Sequence, residues 1–202
     1  MSVESDSHSP ELTPEIQQEL VTQLGSLLHE GWRAPRKQAD GSFEPRIKKT
    51  KDIAWKAAHG TEDVDIANTS FADLPADWQD ENRAAAEVAM DEVFKTIASG
   101  RLLDEAFVEQ ASTIVHDKWL ERNSSWAPPE QNKPFEELSE VEKEKDRAQV
   151  RKAIELYEAN AARAVDGVYD EWVKRSYEAL ADLLPGRYAK MERSEDVVTG
   201  LY

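Results

Sequence analysis

Apolar residues recur at helical spacing in five long stretches of the chain. The first stretch follows Thr13-Pro14, where a capping residue precedes a proline at the first helical position. A helix is therefore predicted to begin there and to run to about Trp32. Its apolar positions repeat every three or four residues: Ile16, Leu20, Leu24, Leu27 and Leu28.

Four further stretches predict helices downstream. The second helix covers about 76–99 and is ended by Gly100. The third covers 102–122, where the candidate buried positions are Leu102, Leu103, Phe107, Ile114, Val115 and Trp119.

The fourth predicted helix begins after Ser139, which forms a capping-box pattern with Glu142. It runs to about Ala162 or beyond. A last helix carries Trp172 and breaks at Pro185-Gly186.

The segments between these helices contain turn-forming residues. Residues 33–70 are interrupted by prolines and glycines, and Ala39-Asp40-Gly41-Ser42 reads as a turn between two short extended pieces, the second over 43–50. We expect a hairpin or an ordered loop there, and a loop over 123–134. The fold class predicted from this pattern is mainly α.

Composition restricts the class of partner. The chain of 202 residues has a formal net charge of −16, which disfavours binding to DNA, RNA or an anionic membrane surface. It contains no Cys, which is compatible with a reducing compartment. We see no signal peptide and no apolar run long enough to span a membrane, and we expect a cytoplasmic protein.

Two segments of the chain repeat the same order of anchor residues. Leu28-His29-Glu30-Gly31-Trp32 matches Val115-His116-Asp117-Lys118-Trp119. Further along, Phe71-x-x-Leu74 followed by Asn82-Arg83-Ala84 matches Phe135-x-x-Leu138 followed by Asp146-Arg147-Ala148. Each copy is thus a helix, His-x-x-Trp, a loop, Phe-x-x-Leu and a second helix. The first copy has the longer connection.

The second copy resembles the ryanodine-receptor repeat (RyR) domain. The resemblance is carried by His116-Asp-Lys-Trp119 and by the stretch from Lys133-Pro-Phe to Asp146-Arg147, with the match extending over 103–157. The first copy, over 15–95, matches at its ends. Trp126 is followed by Ala-Pro-Pro, which departs from the loop usual in the family.

The resemblance implies two pseudo-symmetric helical hairpins with short strands in their connections, followed by a C-terminal helix. It implies a small stand-alone protein of bacterial or phage type that carries tandem copies. It also implies recognition of an adenine-nucleotide-like ligand in a cleft between the repeats. The expected organisation is a disordered N-terminus over 1–11, repeats over 12–100 and 101–162, and a C-terminal helix and tail over 163–202.

Four tryptophans are candidate ligand contacts. Trp32 and Trp119 occupy matching places, so their indoles could sandwich a planar base, or each could fill the core of its own hairpin. Trp55 and Trp126 are predicted to lie on loops, where a tryptophan contacts a ligand or covers the core.

His29 and His116 precede those two tryptophans by three residues, on the same helix face. They are candidates for a hydrogen bond to a ligand or to the loop backbone, or for a structural role. The four histidines are scattered, so no metal site is predicted.

The segment 33–56 is basic within an acidic chain. Arg46 and Lys48 would share one side of an extended piece with Thr50 and could hold a phosphate, or they could be solvated or paired with acidic helices. Asn68 could contact a base edge or shape a turn.

No sequence pattern supports catalysis. The chain has no Cys, no nucleophile elbow and no glycine-rich phosphate loop, so we predict no catalytic residue, no enzyme activity and no cofactor. Two functions remain open. One is a sensor or sequestering protein for a small anionic, nucleotide-like ligand, and the other is a protein-interaction module or homodimer.

Overall fold

The fold is mainly helical, which confirms the predicted class. A computed structural model describes the backbone of residues 13–183 and the side chains of residues 13–163. This part of the chain contains the helices α1 (Pro14–Arg33), α2 (Ile53–His59), α3 (Ala76–Ala98), α4 (Glu105–Asn123) and α5 (Glu140–Leu183), and the strands β1 (Ile47–Lys49) and β2 (Asp63–Asp65). Short 3-10 helices lie at Ala34–Arg36, Phe71–Asp73 and Phe135–Glu137.

Three of the predicted helix-end signals act as expected. The hydroxyl of Thr13 accepts a hydrogen bond from the Ile16 amide, and the hydroxyl of Ser139 accepts one from the Glu142 amide. Gly100 follows α3 with a φ of 71°, in the left-handed region that favours glycine.

The third long helix begins later than predicted. The Asp104 carboxylate caps it by accepting a hydrogen bond from the Phe107 amide at 3.0 Å, so 102–104 lie before the helix. The prediction that Leu102 is buried is wrong, because this residue is 78% exposed. Phe107 and Val115 are buried as predicted.

One hydrophobic core is shared by the two copies of the sequence repeat. α1 and α3 belong to the first copy, and α4 and the first part of α5 belong to the second. All four contribute buried apolar side chains to the same cluster, among them Leu20, Leu24, Met90, Val93, Val108, Val115, Val150 and Ala153. The long helices of the two copies therefore bury their apolar faces in one common cluster.

The longer connection of the first copy forms a small substructure of its own. The turn at 39–42 is confirmed: Gly41 has a φ of 89°, and a bridge between Lys37 and Phe43 closes it. The extended piece after the turn pairs further along the chain, because β1 is antiparallel to β2 with Lys48 opposite Val64. The short helix α2 between the two strands was not predicted. A second apolar cluster of Val64, Ile66, Phe71 and Leu74 lies here.

The last helix has no break at the predicted boundary near 162, because α5 continues to Leu183. Residues 11–158 form one compact unit that contains both copies, and residues 159–183 group separately. The predicted disorder of 1–11, the side chain of Trp172 and the break at Pro185-Gly186 lie outside the described residues. None of the described helices is long and apolar enough to cross a membrane.

Candidate ligand-binding site

The two His-x-x-Trp motifs make the same ring contacts in both copies. The His29 and Trp32 ring centroids are 5.9 Å apart with an interplanar angle of 24°, and those of His116 and Trp119 are 6.1 Å apart at 26°. Each histidine also contacts the buried phenylalanine of its own copy, at 6.4 Å for Phe71 and 6.1 Å for Phe135.

The hydrogen bonds of the two histidines match as well. The Nε2 atom of His29 lies 3.0 Å from the carbonyl oxygen of Thr69, and that of His116 lies 2.7 Å from the carbonyl oxygen of Lys133. Both carbonyls belong to the residue two positions before the buried phenylalanine. Because both histidines are buried, these bonds anchor the loop backbone, which is one of the two roles predicted for them.

The arginines that follow the motifs also correspond. The guanidinium of Arg83 lies 5.9 Å from the Phe71 ring centroid, and that of Arg147 lies 6.0 Å from the Phe135 ring centroid. The anchors that align in sequence therefore occupy equivalent surroundings in the folded chain.

One difference between the copies concerns the group that faces the histidine. Where the second copy has Asp146, the first has Asn82. The Oδ2 atom of Asp146 lies 3.2 Å from Nδ1 of His116, whereas Asn82 donates its side-chain N–H to the carbonyl oxygen of Trp78. Burial raises the pKa of the Asp146 carboxyl to about 6, and the opposing attraction of His116 is smaller.

Trp32 packs within the first copy. Its indole lies against the apolar cluster of Val64, Ile66, Phe71 and Leu74, and the Arg36 guanidinium lies 4.3 Å from its ring centroid. A stacked histidine and a covering arginine already occupy the surroundings of this ring. These contacts fit the packing role that was the alternative to a sandwich with Trp119.

Trp119 instead meets the second predicted loop tryptophan. The centroids of Trp119 and Trp126 are 6.0 Å apart and their planes are at 74°, an edge-to-face arrangement. Trp126 is 59% exposed, and the Nζ atom of Lys48 lies 5.7 Å from its ring centroid. We name Trp119, Trp126 and Lys48 the aromatic–cation cluster. It joins strand β1 of the first copy to the loop of the second.

The loop that carries Trp126 is held at several points. The Trp126 amide donates to the carbonyl oxygen of Asn123 at 3.0 Å, and the Asn123 side chain is buried and donates to Glu81 of α3 at 3.2 Å. Near the other end, Gln131 donates to Glu142 of α5 at 2.8 Å, and Lys133 accepts from His116. The exposed indole thus stands on an anchored backbone.

The extended piece that carries Arg46, Lys48 and Thr50 was predicted to hold a phosphate, and one of these three side chains is used inside the protein. The hydroxyl of Thr50 is buried and donates to the Asp77 carboxylate at 2.6 Å, so it is not available to a phosphate. Arg46 is exposed, and its side chain makes no hydrogen bond or ion pair with another residue of the described part. Of the three side chains predicted to hold a phosphate, Lys48 and Arg46 remain available to an anion.

Asn68 shapes the backbone, as the turn interpretation predicted. Its Oδ1 accepts from the Phe43 amide, and its Nδ2 donates both to the Phe43 carbonyl and to Asp65. These bonds use both amide N–H groups and the side-chain oxygen. Asn68 therefore has a structural role, in which its side chain holds the backbone of Phe43, and it is not free to contact a base edge.

Trp55 was predicted to lie on a loop, but it lies on a helix. It belongs to α2, and its ring stacks on His59 with centroids 3.7 Å apart. Its Nε1 atom is buried without a hydrogen-bond partner. The indole covers the small apolar cluster, which was the second role considered for it.

Sequence reasoning did not identify the role of Asp146. It served only as an anchor of the repeat, although its exchange for Asn82 in the other copy was visible in the alignment. The replacement of an amide by a carboxyl group, in a repeat where the histidine is kept, is the feature of the sequence that could have identified Asp146. The described side chains include no group of three or more His, Asp or Glu residues arranged to hold a metal ion.

Comparisons of the chain with family models, with curated proteins and with solved structures find no match. The resemblance to the RyR domain therefore stays a prediction from the sequence.

Proposed function

We propose that this protein binds a small, planar, anionic ligand of the adenine-nucleotide class at the aromatic–cation cluster. The observation that carries the proposal is the exposed indole of Trp126, which stands against Trp119 with the Lys48 ammonium 5.7 Å from its ring centroid. Stacking on an exposed indole suits a purine, and the nearby cation suits a phosphate.

The sequence predicted that Trp32 and Trp119 stack on the base. The present proposal names a different pair of tryptophans. Trp126 takes the place of Trp32 as the stacking partner beside Trp119, because Trp32 is covered by Arg36. Arg46, exposed next to β1, supplies a second cation to the same end of the ligand. The choice of an adenine nucleotide as the ligand comes from the resemblance of the two copies to the RyR domain.

Binding is tested by adding ATP, ADP-ribose or cyclic AMP while following tryptophan fluorescence and thermal unfolding. A ligand present at about 100 times its dissociation constant stabilises the folded state by about 2.7 kcal/mol. The absence of any shift at millimolar concentrations of all three ligands would contradict the proposal.

Two substitutions locate the site. Trp126→Ala removes the stacking face and is expected to weaken binding by about 1–3 kcal/mol. Lys48→Gln is expected to weaken binding several-fold and to reduce its dependence on salt. The matched control is Lys51→Gln, which removes an exposed lysine of the same basic segment and should leave the dissociation constant unchanged.

A protein partner or a second copy of the chain is the alternative occupant. The observation that favours it is the exposure of apolar surface beside Lys48, where Ile47 is 56% exposed and Trp126 is 59% exposed. Light scattering decides between the two. A dimer that Trp126→Ala converts to a monomer, together with no nucleotide binding, would support the alternative.

A further inference from the structure

His116 stands buried between two hydrogen-bond acceptors. Its Nε2 atom is 2.7 Å from the carbonyl oxygen of Lys133, and its Nδ1 atom is 3.2 Å from a carboxylate oxygen of Asp146. A carbonyl oxygen can only accept, so the Nε2 atom donates. The contact with Asp146 then needs a proton of its own, carried either by Nδ1 or by the carboxyl group.

The number of protons decides whether both bonds form. With one proton between His116 and Asp146, both contacts of the imidazole are satisfied. When that proton is lost, the neutral imidazole keeps a single N–H and Asp146 is a carboxylate. One of the two contacts must then place a nitrogen lone pair against an oxygen, which weakens it.

These two contacts hold the parts of the aromatic–cation cluster. His116 stacks on Trp119, which in turn meets Trp126 edge to face. Lys133 closes the loop over 124–134 on which Trp126 lies. A shift of the imidazole or a loss of its bond to Lys133 therefore acts on both indoles at once.

Other charged groups surround the pair on the elements packed against it. From α5, Glu142 opposes and Lys145 favours ionisation of Asp146. Lys143 and Arg147 of α5 lie 5.8 and 6.0 Å from the Phe135 ring centroid, on the 3-10 helix that His116 contacts. Lys133 is exposed on the loop, and the neighbouring Lys118 of α4 is paired with Glu121. Glu142 is itself paired with Lys145, so Asp146 is the carboxylate that meets the imidazole directly.

We propose that His116 and Asp146 form a proton-dependent latch that positions Trp119 and the Trp126 loop. The latch is closed while the pair holds its shared proton and loosens when that proton is lost at higher pH. His116 and Asp146 act here as positioning residues. The link to nucleotide affinity rests on the proposed function, whereas the effect on the two indoles does not.

The first copy provides a control within the same chain. His29 makes the equivalent bond to Thr69, but Asn82 stands where Asp146 would be, and no carboxylate forms an ion pair with His29 among the described side chains. The carbonyl oxygen of Thr69 also accepts from the Arg33 guanidinium at 3.1 Å, so this loop has a second anchor besides the imidazole. The environment of Trp32 should therefore not change when the pair of His116 and Asp146 loses its shared proton.

The test is a pH titration of the ligand-free protein labelled with 5-fluorotryptophan and observed by ¹⁹F NMR, with signals assigned through Trp→Phe variants. Between about pH 5 and about pH 8, the Trp119 and Trp126 resonances should shift together with one midpoint, and the Trp32 resonance should not share it. Trp119 and Trp126 resonances that stay fixed, or that move with Trp32, would overturn the latch.

Asp146→Asn sharpens the test. The amide of the introduced asparagine can donate to Nδ1 while Nε2 donates to Lys133, so the imidazole is satisfied without an extra proton. The shared midpoint should disappear, with the Trp126 signal held near its low-pH position. A midpoint that persists in this variant would overturn the proposal even if both proteins are fully folded.

ATP binding is measured on the same two proteins. Losing one hydrogen bond of ordinary strength corresponds to about a fivefold weaker affinity, so the ratio of the wild-type to the Asp146→Asn dissociation constant should rise about fivefold toward higher pH. Ionisation of the ATP phosphates affects both proteins alike and cancels in this ratio. If ATP fails to bind at any pH while the ligand-free indoles still titrate, the latch stands and the nucleotide proposal fails. Equal pH dependence of ATP binding in the two proteins would contradict the latch.

Discussion

The surroundings of His29 and His116 share three contacts and differ in the side chain at one aligned position, Asn82 or Asp146. His29 and His116 have the same stacked tryptophan, the same phenylalanine contact and the same bond to a loop carbonyl. The exchange of Asn82 for Asp146 adds one buried, ionisable group to the second copy. The proposed latch depends on this group, because it gives the imidazole of His116 a carboxylate partner that His29 does not have among the described side chains.

This difference predicts how stability changes with pH. A carboxyl group whose pKa is raised on folding stabilises the folded state fully below its unfolded pKa, and this contribution is lost as the pH rises through the folded pKa. For Asp146 the window runs from the unfolded value of 3.8 to about 6. The loss from this group amounts to at most about 3 kcal/mol.

Urea unfolding of the wild type and of Asp146→Asn across this window isolates the effect. Carboxylates with a lowered pKa, such as Glu62 beside Lys49, contribute in the opposite direction but are common to both proteins. The free energy of unfolding of the wild type should fall relative to that of the variant as the pH rises. A difference that stays constant or grows in favour of the wild type would contradict the assignment.

At the scale of elements, the sequence predicts the long helices because their ends carry strong local signals. Thr13, Ser139 and Gly100 act at the ends of helices as their residue types favour. The short elements of the first connection have no comparable signal. Helix α2 has seven residues and no buried position, and β2 is the tripeptide Asp-Val-Asp. Neither element is long enough to show a recognisable hydrophobic periodicity.

Asp52 links these short elements to the helical core. Its Oδ1 atom accepts from the amides of Ala54 and Trp55 at the start of α2, and its Oδ2 atom accepts from the amide of Ala76 at the start of α3. These bonds, that from Ala76 first, lower the pKa of the Asp52 carboxyl below its usual value.

Asp52→Ala is therefore expected to loosen α2 and the first turn of α3 while leaving α4 in place. Amide hydrogen exchange measures this directly, since local opening is reported residue by residue. Asp40→Ala is the matched control, because that carboxylate serves only the turn around Ser42. Equal loss of protection in α2 for both variants would argue against the link.

At the scale of the whole molecule, the long helices of the two copies share one apolar cluster. Leu24 and Met90 of the first copy are buried in the same cluster as Val108 and Val150 of the second. A fragment of residues 13–100 would expose its half of that cluster to water. We expect such a fragment to lack a cooperative thermal transition, whereas residues 11–158 should retain one. Calorimetry checks both, and a cooperatively folded 13–100 would contradict the shared core.

The candidate site was only partly predictable because it joins segments that are distant in sequence. Trp126, Trp119 and Lys48 were all named as candidates from local features, but the contact between Lys48 and Trp126 depends on how β1 and the second loop meet in the folded chain. The expected sandwich assigned Trp32 to this role through the repeat alone. Matching positions in a duplicated chain share a local environment, yet their rings need not meet.

The most direct test of the account is an ATP titration of the 5-fluorotryptophan protein, with all six tryptophan signals observed by ¹⁹F NMR at fixed, mildly acidic pH. The aromatic–cation cluster predicts that Trp126 shifts most, that Trp119 follows with the same saturation curve, and that Trp32 and Trp55 remain in place. A saturable shift confined to Trp32 or Trp55, or no shift of Trp126 at any ATP concentration, would contradict the proposed site.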